Sequence, residues 1–163
     1  MEKHGVEELT WTKIRQVFPD NALGDIPKAM KTPLKRFEGR IEPGARIAVG
    51  VGSRGIDNLQ ELVIETVKWL KECEAEPFIV PAMGSHGGAT AEGQTAILTD
   101  YGITEKAIGA PIRASMEVVP LDNYSGPNEL FMDRLAYESD GVFLINKVKP
   151  HTDFRGKYES GLV

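Results

Sequence analysis

Apolar positions along the chain fall into short β-branched runs separated by stretches with a helical period. Ile47-Ala48-Val49-Gly50-Val51 is an unbroken apolar run that predicts a buried strand. Behind it Leu59, Leu62, Val63, Val67 and Leu70 share one helical face, and Asp57 with Gln60 three residues on has the form of a capping box. Phe78-Ile79-Val80 predicts the next strand. Ala91 to Leu98 predicts a helix, with Thr90 as its N-cap and Glu92 in the first turn. Met116 to Leu121 reads as a third strand, Leu130-Phe131-Met132 as a short element, and Leu135 to Tyr137 as a helical turn. Gly141-Val142-Phe143-Leu144-Ile145-Asn146 is expected to be the most buried strand of all. Ahead of these lies a polar lead-in, residues 1–45, with one or two helices. In it Ile26, Met30, Leu34 and Phe37 recur at helical spacing across Pro33, and Glu42-Pro43-Gly44 makes a turn.

Strands alternating with helices of this length predict an α/β fold: an open, mainly parallel, Rossmann-like sheet with helices on both faces. The expected organisation is lead-in helices over 1–45 packing on an α/β domain over 46–163. There is no internal repeat and no low-complexity stretch. Ser160-Gly161-Leu162-Val163 follows directly on a charged, motif-dense segment, so a further C-terminal domain of the same protein is expected beyond it.

Composition narrows the function classes. At 163 residues, with 41% hydrophobic and 26% charged residues, the chain can bury one core and is too apolar for disorder. A net charge of −5 argues against a general nucleic-acid partner, which would require a basic footprint. The single cysteine, Cys73, excludes an internal disulfide and a CxxC metal site; it falls on the first strong helix, away from every strand end, where packing is its expected role. Met1-Glu2-Lys3-His4-Gly5-Val6-Glu7-Glu8 is charged from the start, with no apolar signal region after it. The longest strongly apolar run, Val142 to Ile145, is far short of the ~20 residues that span a bilayer. The expected location is cytoplasmic, with no membrane partner.

Ligands of open parallel sheets bind beyond the carboxyl ends of the strands. Three segments follow predicted strand ends: Gly50-Val51-Gly52-Ser53-Arg54-Gly55, Gly84-Ser85-His86-Gly87-Gly88, and Lys147-Val148-Lys149-Pro150-His151-Thr152-Asp153. The first has the form G-x-G-x-x-G, yet the second strand is followed by Pro81-Ala82-Met83-Gly84, without the carboxylate that would bind a ribose, and Arg54 would crowd a pyrophosphate. The segment therefore reads as a tight strand–helix turn, with the Arg54 guanidinium as a planar fork for a substrate carboxylate. His86 lies among small residues at the mouth of a helix, and His151 follows the last strand behind Pro150. Imidazole titrates near neutrality and suits proton transfer. Arg54, Lys147, Lys149, Arg155 and Lys157 gather basic charge around the two histidines, which points to an anionic substrate or cofactor. Asp153 can orient a histidine or form a surface ion pair.

Gly84-Ser85-His86-Gly87-Gly88 and Asn146-Lys147-Val148-Lys149-Pro150-His151-Thr152 resemble the N-terminal domain of the nickel-dependent lactate racemase family, and Gly52-Ser53-Arg54 is similar to that family's arginine-bearing loop. The resemblance runs in segment order over residues 40–163. It implies a domain of an isomerase that inverts the α-carbon of a 2-hydroxy acid, with His86 and His151 as alternating acid and base. Arg54, with Ser53, would hold the substrate carboxylate. It also implies a nickel-pincer nucleotide that takes and returns the hydride. Ser85, Lys149 and Lys157 are candidate cofactor contacts, Lys157 standing too close to His151 to match the family's attachment lysine, and no metal ligand is identified in this chain. The sequence departs from the family in two places. Val51 and Gly52 stand where the family carries an acidic residue. The family's cofactor-attachment lysine falls by spacing at Gly161 or just beyond Val163, and its nickel-ligand histidine falls beyond residue 163. The chain alone is thus expected to be inactive. The alternative is a non-catalytic nucleotide- or anion-binding module built on the two glycine loops and the lysines. Under the first reading the partners are a small anionic 2-hydroxy acid and the C-terminal domain.

Overall fold

The computed structural model describes residues 11–18, 22–53, 55–121, 129–147 and 155–157. Helix α1 spans Ile26–Lys35, capped by the Asp25 carboxylate accepting from the Lys28 N–H at 2.8 Å. Strand β1 (Arg46–Val51) leads into helix α2 (Leu59–Glu72) and strand β2 (Glu76–Pro81). After a 3-10 turn at His86–Ala89 come helices α3 (Ala91–Asp100) and α4 (Glu105–Ile108). Strands β3 (Val118–Pro120) and β4 (Phe131–Asp133), helix α5 (Arg134–Tyr137) and strand β5 (Gly141–Ile145) complete the order.

The chain is an α/β fold around a parallel sheet of order β2-β1-β5. Strand β1 lies in the middle because its apolar run can be covered on both faces. Ile47, Val49 and Val51 point to one face, where they meet Val63, Val67 and Leu70 of α2, Leu98 of α3 and Ile108 of α4. Leu70, Val63, Val49, Val51, Ile79 and Leu98 have no measurable exposure. Fully burying one such side chain stabilises the fold by about 1.5–3 kcal/mol. The other face is thinner: Ala48, Phe78 and Val80 are covered by Ala136 and Leu135 of α5 and by Met132. Helices therefore lie on both faces, with very unequal cover. Phe37, two residues past α1, packs edge-on against Trp69 of α2 and Phe143 of β5.

Three expectations need correction. Strand β5 is not the most buried; it is an edge strand whose Val142 and Leu144 remain 39% and 44% exposed on the thinly covered face, whereas β1 is buried from Ile47 to Val51. The run from Met116 to Leu121 does not join the parallel sheet. Only Val118–Pro120 is strand, paired antiparallel with Phe131–Asp133 in a separate two-stranded ribbon. The capping box does not form. Asn58 is the N-cap, in the left-handed conformation that asparagine tolerates, and its side chain makes no capping bond. The Gln60 amide instead donates to the Gly102 carbonyl at 2.7 Å, tying α2 to the turn after α3, so a tertiary partner displaces the local one. In the lead-in, α1 is the one helix among the described residues, and 11–18 forms no regular element. The α3 reading holds as made: Thr90 Oγ1 accepts from the Gly93 N–H at 3.1 Å. No helix among the described residues is long and apolar enough to cross a membrane.

Candidate functional site

The parallel register brings the ends of three strands to one level. Val51 is paired with Pro81 on one side and with Ile145 on the other. One further step of backbone bonding extends each pairing, Ala82 N–H to Val51 O at 2.8 Å and Gly52 N–H to Ile145 O at 3.2 Å. The segments after β1, β2 and β5 consequently leave along a single edge of the sheet. Adjacent strands are ~4.8 Å apart, so the outer two ends are separated by roughly 10 Å.

From the middle segment, Ser53 projects inward and is only 7% exposed. From the β2 segment, His86 is half-buried, and its ring Nδ1 lies 2.5 Å from Ser53 Oγ, within hydrogen-bonding distance. Among the described residues Ser53 is the ring's hydrogen-bond partner. With Nδ1 paired to Ser53, Nε2 is the ring nitrogen without a hydrogen-bond partner among the described residues. Ser85, next to His86, is exposed; so are Asn146 and Lys147, the first residues beyond β5, and so is Lys157. Arg54, Lys149 and His151 lie outside the described residues.

Helix α3 holds the histidine segment. The His86 N–H donates to Met83 O at 3.3 Å, and Met83 is anchored in the core beneath α2. Gln94, a polar side chain only 4% exposed, donates from Nε2 to the Gly84 carbonyl at 2.8 Å. The Thr90 hydroxyl donates to Gly87 O at 3.0 Å while capping α3. Gly87 has φ +65, and a Cβ there would lie 2.6 Å from the Gln94 backbone nitrogen, so glycine is required both by conformation and by space. Gln94 is a support that the sequence reading missed. Its signal was Gly93, a glycine inside a helical pattern, which marks a close backbone approach.

A groove of ≈ 580 Å³ lies between α1 and β5; Ile26, Met30, Asn58, Leu62, Phe143 and Asn146 are among its lining. Cys73 lies at the far end of α2. Partial burial, then the Glu38 and Glu72 carboxylates, push its thiol up from the usual range, which fits a packing role. Among the described residues no group of three or more His, Cys, Asp or Glu side chains gathers that could hold a metal ion.

A scan against models of protein families, a search of curated proteins and a search of solved structures each found no match for this chain.

Proposed function

We propose that this chain is the N-terminal domain of a lactate racemase-like isomerase that inverts the α-carbon of a 2-hydroxy acid, with His86 as one member of its acid–base pair. The observation that carries this reading is the meeting of Ser53 and His86, from the ends of two adjacent parallel strands, at the edge where sheets of this type bind ligands. Inverting a carbinol carbon requires proton transfer on each face of the substrate, hence two groups from different segments. Nε2 of His86 would take the proton from one side and return it in the reverse direction. His151, from the segment after β5, would serve the opposite side, and Arg54 would clamp the carboxylate.

The nickel-pincer nucleotide implied by the resemblance would accept and return the hydride, chemistry that no natural side chain supplies. Ser85 is placed beside His86, but the described residues offer no metal-holding group. The proposed proton transfer rests on His86, and the hydride step has no residue assigned to it among the described residues.

The test is racemisation by the natural full-length protein matured with nickel, on a panel of 2-hydroxy acids. Turnover should fall by at least ~10²-fold in His86→Ala with the circular dichroism spectrum unchanged. Normal turnover in that variant would remove His86 from the mechanism. No turnover, together with salt-sensitive binding of a phosphate-bearing ligand that ignores His86→Ala, would favour the anion-binding module.

A further inference from the structure

We infer that Ser53 is the positioning residue of His86, accepting a hydrogen bond from Nδ1–H and thereby holding the ring in the tautomer whose Nε2 carries the lone pair. The inference rests on the proposed acid–base role, and deepens it by assigning what keeps the imidazole ready. Three observations support the pairing; that Nδ1 carries the proton is the inferred part. Ser53 Oγ and His86 Nδ1 are 2.5 Å apart. Ser53 is almost fully withdrawn from water, so its hydroxyl depends on protein partners. Both residues hang from fixed backbone: Gly52 is bonded to Ile145 across the strand ends, and His86 to Met83.

The chemistry favours a hydroxyl here. A neutral imidazole can take a proton at Nε2 only if its own proton sits on Nδ1. When Nε2 gains a proton the ring becomes imidazolium, and Nδ1–H still donates to the same oxygen. The Ser53 contact therefore survives the whole exchange, and the ring need not turn over between its two roles. A carboxylate would also fix the tautomer, but would hold positive charge on the ring and favour the acid form. A neutral acceptor suits a group that must be base in one direction and acid in the other.

Nitrogen-15 NMR of the histidine-labelled full chain reads the tautomer directly, whether or not the protein turns over. In the neutral form, His86 of the wild type should carry its proton on Nδ1; a proton found on Nε2 overturns the inference and requires no variant. Ser53→Ala should show a mixture of tautomers, whereas Ser53→Thr, which keeps the hydroxyl, should retain the wild-type signals. Identical His86 signals in folded Ser53→Ala and wild type would also overturn it. In the matured enzyme, Ser53→Ala should lower kcat about tenfold with KM nearly unchanged, and Ser53→Thr should restore most of it; a raised KM with kcat unchanged would make Ser53 the substrate contact expected from the sequence and overturn the inference. A wild type with the expected tautomer but no racemase activity would sink the proposed function and leave the Ser53–His86 pairing standing.

Discussion

Gly87 and Gly93 touch backbone to backbone: a Cβ on Gly93 would overlap the Gly87 carbonyl oxygen, and Thr90 Oγ1 would lie only 2.8 Å from it. This contact seats the histidine segment on the first turn of α3. Gly93→Ala should therefore destabilise the chain by about 1–3 kcal/mol, the usual range for overpacking against groups that cannot move aside. Gly24→Ala, where nothing lies within 4 Å, should shift the midpoint of urea unfolding very little. Equal midpoints for the two variants would show that the Gly87–Gly93 contact is not tight in solution.

Gln94 bears on the histidine segment through the Gly84 carbonyl. In Gln94→Leu the volume is kept, but the bond to the Gly84 carbonyl is lost. The expected cost is about 1 kcal/mol. Backbone amide exchange should quicken across residues 84–88 and stay unchanged across β1. A uniform change over the whole sheet would mean that Gln94 supports the core rather than the segment.

Cys73 offers a chemical check on a residue outside the site. Because burial and two carboxylates push its thiol up, less thiolate is present at any given pH than in a free cysteine. Iodoacetamide should alkylate the native chain more slowly than a cysteine peptide at pH 8. The rate should climb as pH rises, with its midpoint above that of the peptide, and unfolding in urea should abolish the difference. Faster alkylation in the native chain would contradict the assigned environment.

Much of the architecture was legible in the chain itself. The run from Ile47 to Val51 and the helical face from Leu59 to Leu70 have one physically sensible placement, a central strand under a covering helix, and both are found there. Apolar content alone could not rank the strands. Val142 and Leu144 look as buried as Val49 and Val51, yet their exposure depends on which strand lies at the edge and how much covers it. Gln60 was misread for a related reason, since its partner, Gly102, is 42 residues away. The site followed the same rule. Ser53 and His86 could each be picked out from their own segment, one as a substrate contact and one as an acid–base group. Their pairing across 33 residues is set by the β1–β2 register.

The unequal cover of the two sheet faces sets an order in which the structure would come apart. Helix α5 and the β3–β4 ribbon shield little more than Ala48, Phe78 and Val80, so this layer has few buried apolar contacts to lose. The opposite layer, from α2 through α4, is welded to the sheet by most of the fully buried side chains. The histidine segment is moored to that opposite layer, through Met83 in its core and through Gln94 on α3. A transient peeling of the thin layer would therefore leave Ser53 and His86 in place, so the chain can breathe on one side while that pair stays assembled on the other.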